Sequence, residues 1–280
     1  MRHLSFNKAK SFLELTRPAL CLMGLVSVFI GGVISGFEYA SFNLLLAMIV
    51  AILVTAGSMA INDYFDWEID KVIHPERPVP SGRLSPKEAL WFAILSLLIA
   101  LILSFVINIL CFGIILLSVG FIIFYEKFLK NQGLAGNMIV AFLSSLPFTF
   151  GGASVGQPYN AMILSLIAFF LVLGREILMD VRDMEGDRLS RVTLPMKIGE
   201  KHAIYLGCIF LIATIALTPL PIFFGILKMW YAVIIIPADF LIAYAMLLSL
   251  KNIQNTAITP NIVRVAMAVG LVGFIAGIIP

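Results

Sequence analysis

Apolar runs of about 20 residues recur along this chain from Pro18 almost to its last residue, and that is the length an α-helix needs to cross about 30 Å of hydrocarbon. Hydrophobic residues make up 61% of the sequence and charged residues 12%. A water-soluble domain of this size needs far more charge than this to cover its surface. The sequence therefore predicts an all-α, polytopic helical bundle in the cell membrane, with residues 1–280 forming a single transmembrane domain.

Polar breaks divide the apolar runs into predicted spans. There are nine, at residues 18–37, 42–61, 88–106, 109–125, 134–154, 160–179, 203–225, 229–249 and 262–279. The third and fourth form an almost unbroken apolar stretch of about 35 residues, which is too long for one span. We therefore place a tight turn near Asn108.

The distribution of Lys and Arg predicts the orientation of the spans, because short cytoplasmic loops carry the excess of these residues. With nine spans and the N-terminus in the cytoplasm, the basic connections all lie on the cytoplasmic side, and only Lys228 falls outside. Merging the third and fourth spans would move every later loop to the opposite side and destroy this pattern. The net charge of +3 comes without a basic stripe, so no nucleic-acid partner is predicted, and no protein partner is predicted either.

Acidic residues concentrate at the predicted cytoplasmic ends of the second and sixth spans. Of 16 Asp and Glu residues, five lie at residues 63–76 and five at residues 176–187. Crowded carboxylates raise one another's pKa unless a multivalent cation neutralises them. The alternative is a solvated loop whose charges pair with nearby Lys and Arg residues.

The spacing within each acidic stretch indicates one functional helix face. Asn62, Asp66 and Asp70 recur at i, i+4 and i+8, with Asp63 at the edge of that face. In the second stretch Asp180, Asp183 and Asp187 recur at i, i+3 and i+7. Glu68 in the first stretch and Glu185 in the second point away from these faces. Carboxylate and amide oxygens suit Mg²⁺, which commonly bridges carboxylates to substrate phosphates. The predicted metal ligands are Asn62, Asp63, Asp66, Asp70, Asp180, Asp183 and Asp187.

These motifs resemble those of a known family. Asn62-Asp63-x-x-Asp66-x-x-x-Asp70, and Asp183-x-x-x-Asp187 with Asp180 before it, are similar to the two Asp-rich motifs of the UbiA superfamily of intramembrane prenyltransferases, which are nine-helix bundles. The resemblance implies a UbiA-like fold, an Mg²⁺ cofactor and transfer of a prenyl group from an isoprenoid diphosphate. It also implies catalytic roles for Asp66, Asp70, Asp183 and Asp187.

The segments around both motifs are most similar to the archaeal members that act in ether-lipid synthesis. Those enzymes transfer a geranylgeranyl group from geranylgeranyl diphosphate to the hydroxyl of geranylgeranylglyceryl phosphate, a membrane lipid acceptor. An aromatic, quinone-type acceptor is the alternative within the family. A cation-coupled secondary transporter is the alternative from another class, although transporters bind their ions near the bilayer midplane and most acids here are at one surface.

Several other residues are predicted to contact substrates from the cytoplasmic rim. We expect Lys127 and Lys130 to bind phosphates together with Asn62, Arg17 to meet the acceptor's phosphate, and Tyr125 to stabilise a carbocation. Membrane anchoring is the alternative for the cations and an interfacial aromatic belt for Tyr125. Anchoring is favoured for Arg182, and the role of Arg175 stays open. Asp239, deep in the eighth span, is costly to bury and indicates function, with Arg264 as a possible partner.

Overall fold

The protein is described here by a computed structural model that covers residues 2–36, 41–188 and 191–278, with side chains from residue 8 onward. Within these ranges the regular structure is helical, as the apolar runs predict. The α-helices are α1 (Arg2–Leu15), α2 (Pro18–Ile34), α3 (Phe42–Ile73), α4 (Pro86–Ile107), α5 (Ile109–Phe124), α6 (Leu134–Ser154), α7 (Tyr159–Asp187), α8 (Leu194–Ile198), α9 (Glu200–Leu217), α10 (Leu220–Phe223), α11 (Met229–Lys251) and α12 (Thr259–Ile278). A π-helix (Tyr125–Leu129) follows α5, and a 3₁₀-helix (Ile253–Ala257) precedes α12.

The span count agrees with the sequence prediction. In the described part of the chain, eight helices are long and apolar enough to cross a membrane, and a ninth candidate joins residues 8–15 to α2 through a bend of 51°. Pro18 at the start of α2 explains the break, because proline lacks the N–H that would continue the preceding helix. The predicted span ends at residues 37 and 279 lie outside the described residues.

The tight turn predicted near Asn108 is confirmed. Asn108 is extended, and its side chain accepts a hydrogen bond from the Cys111 backbone N–H at 2.8 Å, capping α5. Its amide also donates to the Ala153 carbonyl of α6 at 2.9 Å. One residue thus ends α4, starts α5 and ties both to a third helix.

Two helices extend well beyond the predicted spans. The second span was expected to end at residue 61 and the sixth at residue 179, but α3 has 32 residues and α7 has 29. At 1.5 Å per residue these helices are about 48 Å and 44 Å long, which exceeds the hydrocarbon thickness. The Asp residues of both acidic stretches therefore lie on helices, so their predicted helical phase is confirmed.

Glycines bring α2 and α6 into close contact. A Cβ atom on Gly31 would lie 2.0 Å from the Phe148 carbonyl oxygen, and one on Gly151 would lie 2.0 Å from the Val28 carbonyl oxygen. Small residues at a crossing let two membrane helices approach backbone to backbone. This crossing sets the position of α2 against the bundle.

Candidate active site

A large cavity runs into the bundle from the acidic ends of α3 and α7. Its volume is 1420 Å³. Asp66 and Asp70 from α3 and Asp183 and Asp187 from α7 all line it. The two acidic stretches, more than 100 residues apart in sequence, therefore open into one chamber.

The cavity wall is contributed by eight helices (α2, α3, α5, α6, α7, α9, α11 and α12), and away from the acidic residues it is mainly apolar. Its lining includes Met23, Val28, Ile115, Phe148, Leu171 and Phe274. Such a surface favours an aliphatic chain and excludes water from it. The chamber thus combines a charged mouth with an apolar interior.

Asp66 belongs to a four-residue network between α3 and the π-helix. Its Oδ2 accepts hydrogen bonds from Lys130 Nζ at 2.5 Å and from Asn62 Nδ2 at 3.2 Å. Glu126 closes the network, accepting from Asn62 at 3.0 Å and from Lys130 at 2.9 Å. The π-helix carries Glu126, and such wide turns are frequent at functional sites. Sequence reasoning did not single out Glu126, although an acid directly after Tyr125 at the end of an apolar run was an available signal.

Asp70 is paired with Arg77 from the segment after α3. The Arg77 guanidinium donates to Asp70 Oδ2 at 2.6 Å, and both residues line the cavity. In the sequence, Arg77 is one of the basic residues in the connection between the second and third spans, which is predicted to be cytoplasmic. Its position at the carboxylate adds a cation to the charged mouth that the motif spacing could not predict.

Asp63 lies apart from the other Asp residues of its motif. Its side chain is buried, with 1% of the residue exposed, and it is not part of the cavity lining. Arg17 donates to Asp63 Oδ1 at 2.8 Å while lining the cavity itself. Arg17 has φ 50° and ψ 71°, a left-handed conformation that is uncommon outside glycine. Asp63 therefore holds Arg17 at the cavity wall rather than facing a ligand.

In the second motif, too, some Asp residues line the cavity and one does not. The Arg182 guanidinium binds Asp183 with two hydrogen bonds of 2.7 Å, and Arg191 donates to Asp187 at 2.8 Å. Asp180 is buried, is absent from the cavity lining and accepts from Asn137 Nδ2 at 2.8 Å. Asp180 thus sits behind the wall as Asp63 does, tying α7 to α6.

Arg191 remains firmly protonated beside these acids. Partial burial lowers the pKa of its guanidinium, but the hydrogen bond with Asp187 and the charges of Asp187 and Asp180 raise that pKa by more. The net shift is upward. Arg191 is therefore a permanent cation at the cavity mouth.

The structure separates the remaining predicted substrate contacts. Asn62, Tyr125 and Lys130 line the cavity with Arg17, whereas Lys127 is exposed and lies outside the lining. The sequence favours membrane anchoring for Arg182, but the structure contradicts this, because Arg182 lines the cavity. Arg175 and Arg264 line it as well. The cavity contacts a wide arc of α7, because its lining includes both Asp183 and Arg182, which are about 100° apart around the helix.

Asp239 of α11 also lines the cavity. Thr218 donates to its Oδ2 at 2.8 Å, while its buried Oδ1 has no hydrogen-bond partner among the described residues. Arg264 is not its partner. This carboxylate therefore stays the least compensated acid of the bundle interior.

Comparison with known proteins identifies the family. The sequence pattern described as the UbiA prenyltransferase family matches residues 24–275. The chain belongs to the UbiA prenyltransferase family.

UbiA proteins of several archaea are similar to this chain over nearly its whole length. A digeranylgeranylglyceryl phosphate synthase of Methanopyrus kandleri is 38% identical over 271 residues, covering 96% of this chain and 100% of the relative. A solved structure of a digeranylgeranylglyceryl phosphate synthase in membranes is 35% identical, with a TM-score of 0.83, and covers 97% of this chain and 98% of the other. The structure of a UbiA homolog from Archaeoglobus fulgidus bound to DMAPP and Mg²⁺ has a TM-score of 0.68 at 20% identity, covering 93% of this chain and 99% of that one.

The oxygen donors of this UbiA chamber fit a metal that is shared with a phosphate. Within the described residues, no three His, Cys, Asp or Glu side chains come close enough together to hold a metal ion by themselves. Mg²⁺ is commonly held by one or two carboxylates plus substrate phosphate oxygens. Two Asp residues on α3 and two on α7 meet that requirement, and an all-protein metal cage is not needed.

Proposed function

We propose that this protein is an Mg²⁺-dependent membrane prenyltransferase that transfers the geranylgeranyl group of geranylgeranyl diphosphate to the hydroxyl of geranylgeranylglyceryl phosphate. The observation that carries the proposal is the junction of four Asp side chains, two from each motif, with one apolar chamber of 1420 Å³. The charged mouth of that chamber suits a diphosphate, and its apolar interior suits a long prenyl tail. The similarity to digeranylgeranylglyceryl phosphate synthases supports this donor and this acceptor.

The residues proposed to hold Mg²⁺ are Asp66, Asp70, Asp183 and Asp187, with Asn62 as an amide ligand. When bound, Mg²⁺ would neutralise the charge that develops on the diphosphate leaving group. We assign no metal contact to Asp63 or Asp180, because both are buried behind the cavity wall in hydrogen bonds of their own. Asp63 is proposed to position Arg17, and Asp180 is proposed to position α7 against α6.

The remaining steps fall to side chains of the chamber. Lys130 and Arg77, now paired with Asp66 and Asp70, are placed to donate to phosphate oxygens. As the bond from carbon 1 of the donor to its diphosphate oxygen breaks, the Tyr125 ring stabilises the allylic cation. The acceptor oxygen then bonds to carbon 1, and its proton passes to a carboxylate of the wall or to the diphosphate. The apolar lining keeps water from capturing the cation.

The mouth of the chamber is proposed to face the cytoplasm. The same end of the bundle carries Arg17, Arg77, Lys130, Arg182 and Arg191, which follows the excess of basic residues in cytoplasmic loops. A soluble diphosphate head would enter from that side. The prenyl tails would enter from the lipid.

Asp66→Asn and Asp183→Asn test the proposal in purified protein. With geranylgeranyl diphosphate and geranylgeranylglyceryl phosphate, we expect kcat/KM to fall by at least about 100-fold, because each variant removes a charge that acts in the transition state. Glu68→Gln and Glu185→Gln are matched controls, since both acids are exposed in the same stretches and neither lines the cavity. Equal activity of all four variants would refute the proposed metal ligands.

The choice of acceptor is tested in the same assay. Geranylgeranylglyceryl phosphate and an aromatic quinone precursor are supplied in turn with radiolabelled donor. We expect labelled product only with the glyceryl phosphate lipid. Preferential labelling of the aromatic ring would replace the proposed acceptor and leave the chemistry of the donor unchanged.

A further inference from the structure

A second cationic group lines the cavity on the α7 and α12 side. It consists of Arg175, Arg182 and Arg264. Arg182 already uses its side-on edge, Nε and Nη2, to bind Asp183. The other two arginines therefore decide what this part of the wall can bind.

Arg175 is buried with part of its guanidinium unused. Its side chain is 11% exposed, and its Nη1 donates to Glu176 Oε1 at 2.7 Å. The buried Nε has no hydrogen-bond partner among the residues that the structure describes, and no described residue accepts from Nη2. Nε and Nη2 form the side-on edge that binds two oxygens of a phosphate or carboxylate. Leaving such a donor unpaired in a buried site is costly, so this edge favours an anionic partner.

Arg264 supplies the charge for such an anion. It lies in the first turns of α12, lines the same cavity and lies within electrostatic range of Arg175 and Glu176. It makes no hydrogen bond or ion pair with any residue in the described ranges. Glu176 pairs with Arg175 and Asp183 pairs with Arg182, so among these three arginines only the charge of Arg264 is not neutralised by an ion pair with a described residue.

We infer that Arg175 and Arg264, rather than Arg17 as expected from the sequence, form a binding site for the phosphate monoester of the lipid acceptor, separate from the Asp residues that serve the diphosphate. The inference rests on the proposed function. Arg175 lies eight residues before Asp183 on α7, so it is about 12 Å deeper along the helix axis. At that depth the head group of a phosphate-bearing lipid lies beside the apolar interior, and the adjoining hydroxyl can face the donor's reacting carbon from inside. The site would discriminate lipids with a phosphate from neutral ones.

Arg175→Gln and Arg264→Gln test the assignment through the two substrates separately. We expect the KM for geranylgeranylglyceryl phosphate to rise at least tenfold in each variant, with the KM for geranylgeranyl diphosphate unchanged within twofold. Geranylgeranylglycerol, the same acceptor without its phosphate, should react equally slowly with wild type and variants. Arg188→Gln is the matched control, because Arg188 is an exposed arginine at the end of α7 outside the cavity lining. A rise in the KM for the diphosphate instead would overturn the inference.

A binding measurement separates this inference from the proposed function. In the absence of donor and Mg²⁺, geranylgeranylglyceryl phosphate should raise the melting temperature of wild type and of Arg188→Gln but not of Arg264→Gln, whose exposed side chain can be replaced without loss of packing. If wild type binds this lipid through Arg264 but transfers no prenyl group, the proposed function fails and the anion site stands. Equal stabilisation of wild type and Arg264→Gln would refute the anion site whatever the activity.

Discussion

Lys127 and Lys130 are three residues apart, and only one of them meets the charged network. Lys130 contacts both Asp66 and Glu126, whereas Lys127 is exposed outside the cavity lining. The sequence predicted phosphate contacts for both because each follows the fourth span. Their side chains differ in direction, and a count of positive charges cannot detect that difference.

Replacing each lysine by glutamine separates their roles. For Lys130→Gln we expect kcat/KM for geranylgeranyl diphosphate to fall by about 10- to 100-fold, because a charge-assisted hydrogen bond to phosphate contributes about 1.5–3 kcal/mol. Lys127→Gln should stay within about twofold of wild type. Steady-state kinetics in detergent micelles measures both. Equal losses in the two variants would mean that net charge at this end matters more than the Asp66 network.

The pair of Arg17 and Asp63 is expected to contribute to stability as well as to position. Arg17→Gln leaves a buried carboxylate without its cation, so we expect the free energy of unfolding to fall by about 3 kcal/mol, the lower end of the loss for a broken buried pair because Arg17 itself is partly exposed. The double variant Arg17→Gln/Asp63→Asn should recover part of that loss, because it removes the uncompensated charge. Equilibrium unfolding in mixed micelles measures the cycle.

A surface ion pair provides the control for that cycle. Arg83 pairs with Glu14, and both side chains are more than one third exposed. Arg83→Gln should cost less than about 1 kcal/mol, since exposed pairs are weak. If Arg17→Gln costs no more than Arg83→Gln, the buried pair is not a structural element of the site.

At the scale of elements, the two long helices make the site possible. The helices α3 and α7 continue past the hydrocarbon without a break, so the Asp residues that each presents to the cavity keep a fixed spacing. The crossing of α2 and α6 then sets where Arg17 stands at the mouth. Its geometry depends on glycines that lie far from any charge.

Gly151→Ala tests that crossing. The added methyl would overlap the Val28 carbonyl oxygen at 2.0 Å, so the helices must separate or the protein must misfold. We expect a large fall in the yield of folded protein, measured by size-exclusion chromatography, and a lower melting temperature. Gly113→Ala in α5 is the matched control, because nothing lies within 4 Å of its added Cβ, and alanine stabilises a helix by about 1 kcal/mol over glycine. Comparable behaviour of the two variants would show that α2 and α6 tolerate a wider separation.

The whole molecule is a multi-pass membrane protein, and its orientation is testable by labelling. Cys21, Cys111 and Cys208 are buried, so an impermeant maleimide should react little with wild type. We expect Lys228→Cys to be labelled in intact cells, since Lys228 follows the predicted outer end of the seventh span. Lys201→Cys should react only after permeabilisation. The reverse pattern would place the Asp residues on the outer surface and contradict the cytoplasmic mouth.

The sequence by itself determined the membrane class, the number of spans, the turn at Asn108 and the helical phase of Asp66, Asp70, Asp183 and Asp187. Each of these depends on spacing along one helix or on the thickness of the bilayer, both of which can be read from residue numbers. The family follows from the same residues, since the two motifs lie in order on two spans.

Only the tertiary structure decided which charges meet. Lys130 and Asp66 are 64 residues apart in sequence, and their contact depends on the rotation and crossing of separate helices, which hydropathy does not specify. For the same reason the sequence did not predict that Glu126 and Arg77 belong to the site, or that Asp63 and Asp180 lie behind the cavity wall. It also did not predict that Arg175, Arg182 and Arg264 line the cavity. Helix periodicity predicts which residues share a face, but only the packing of neighbouring helices decides what that face contacts.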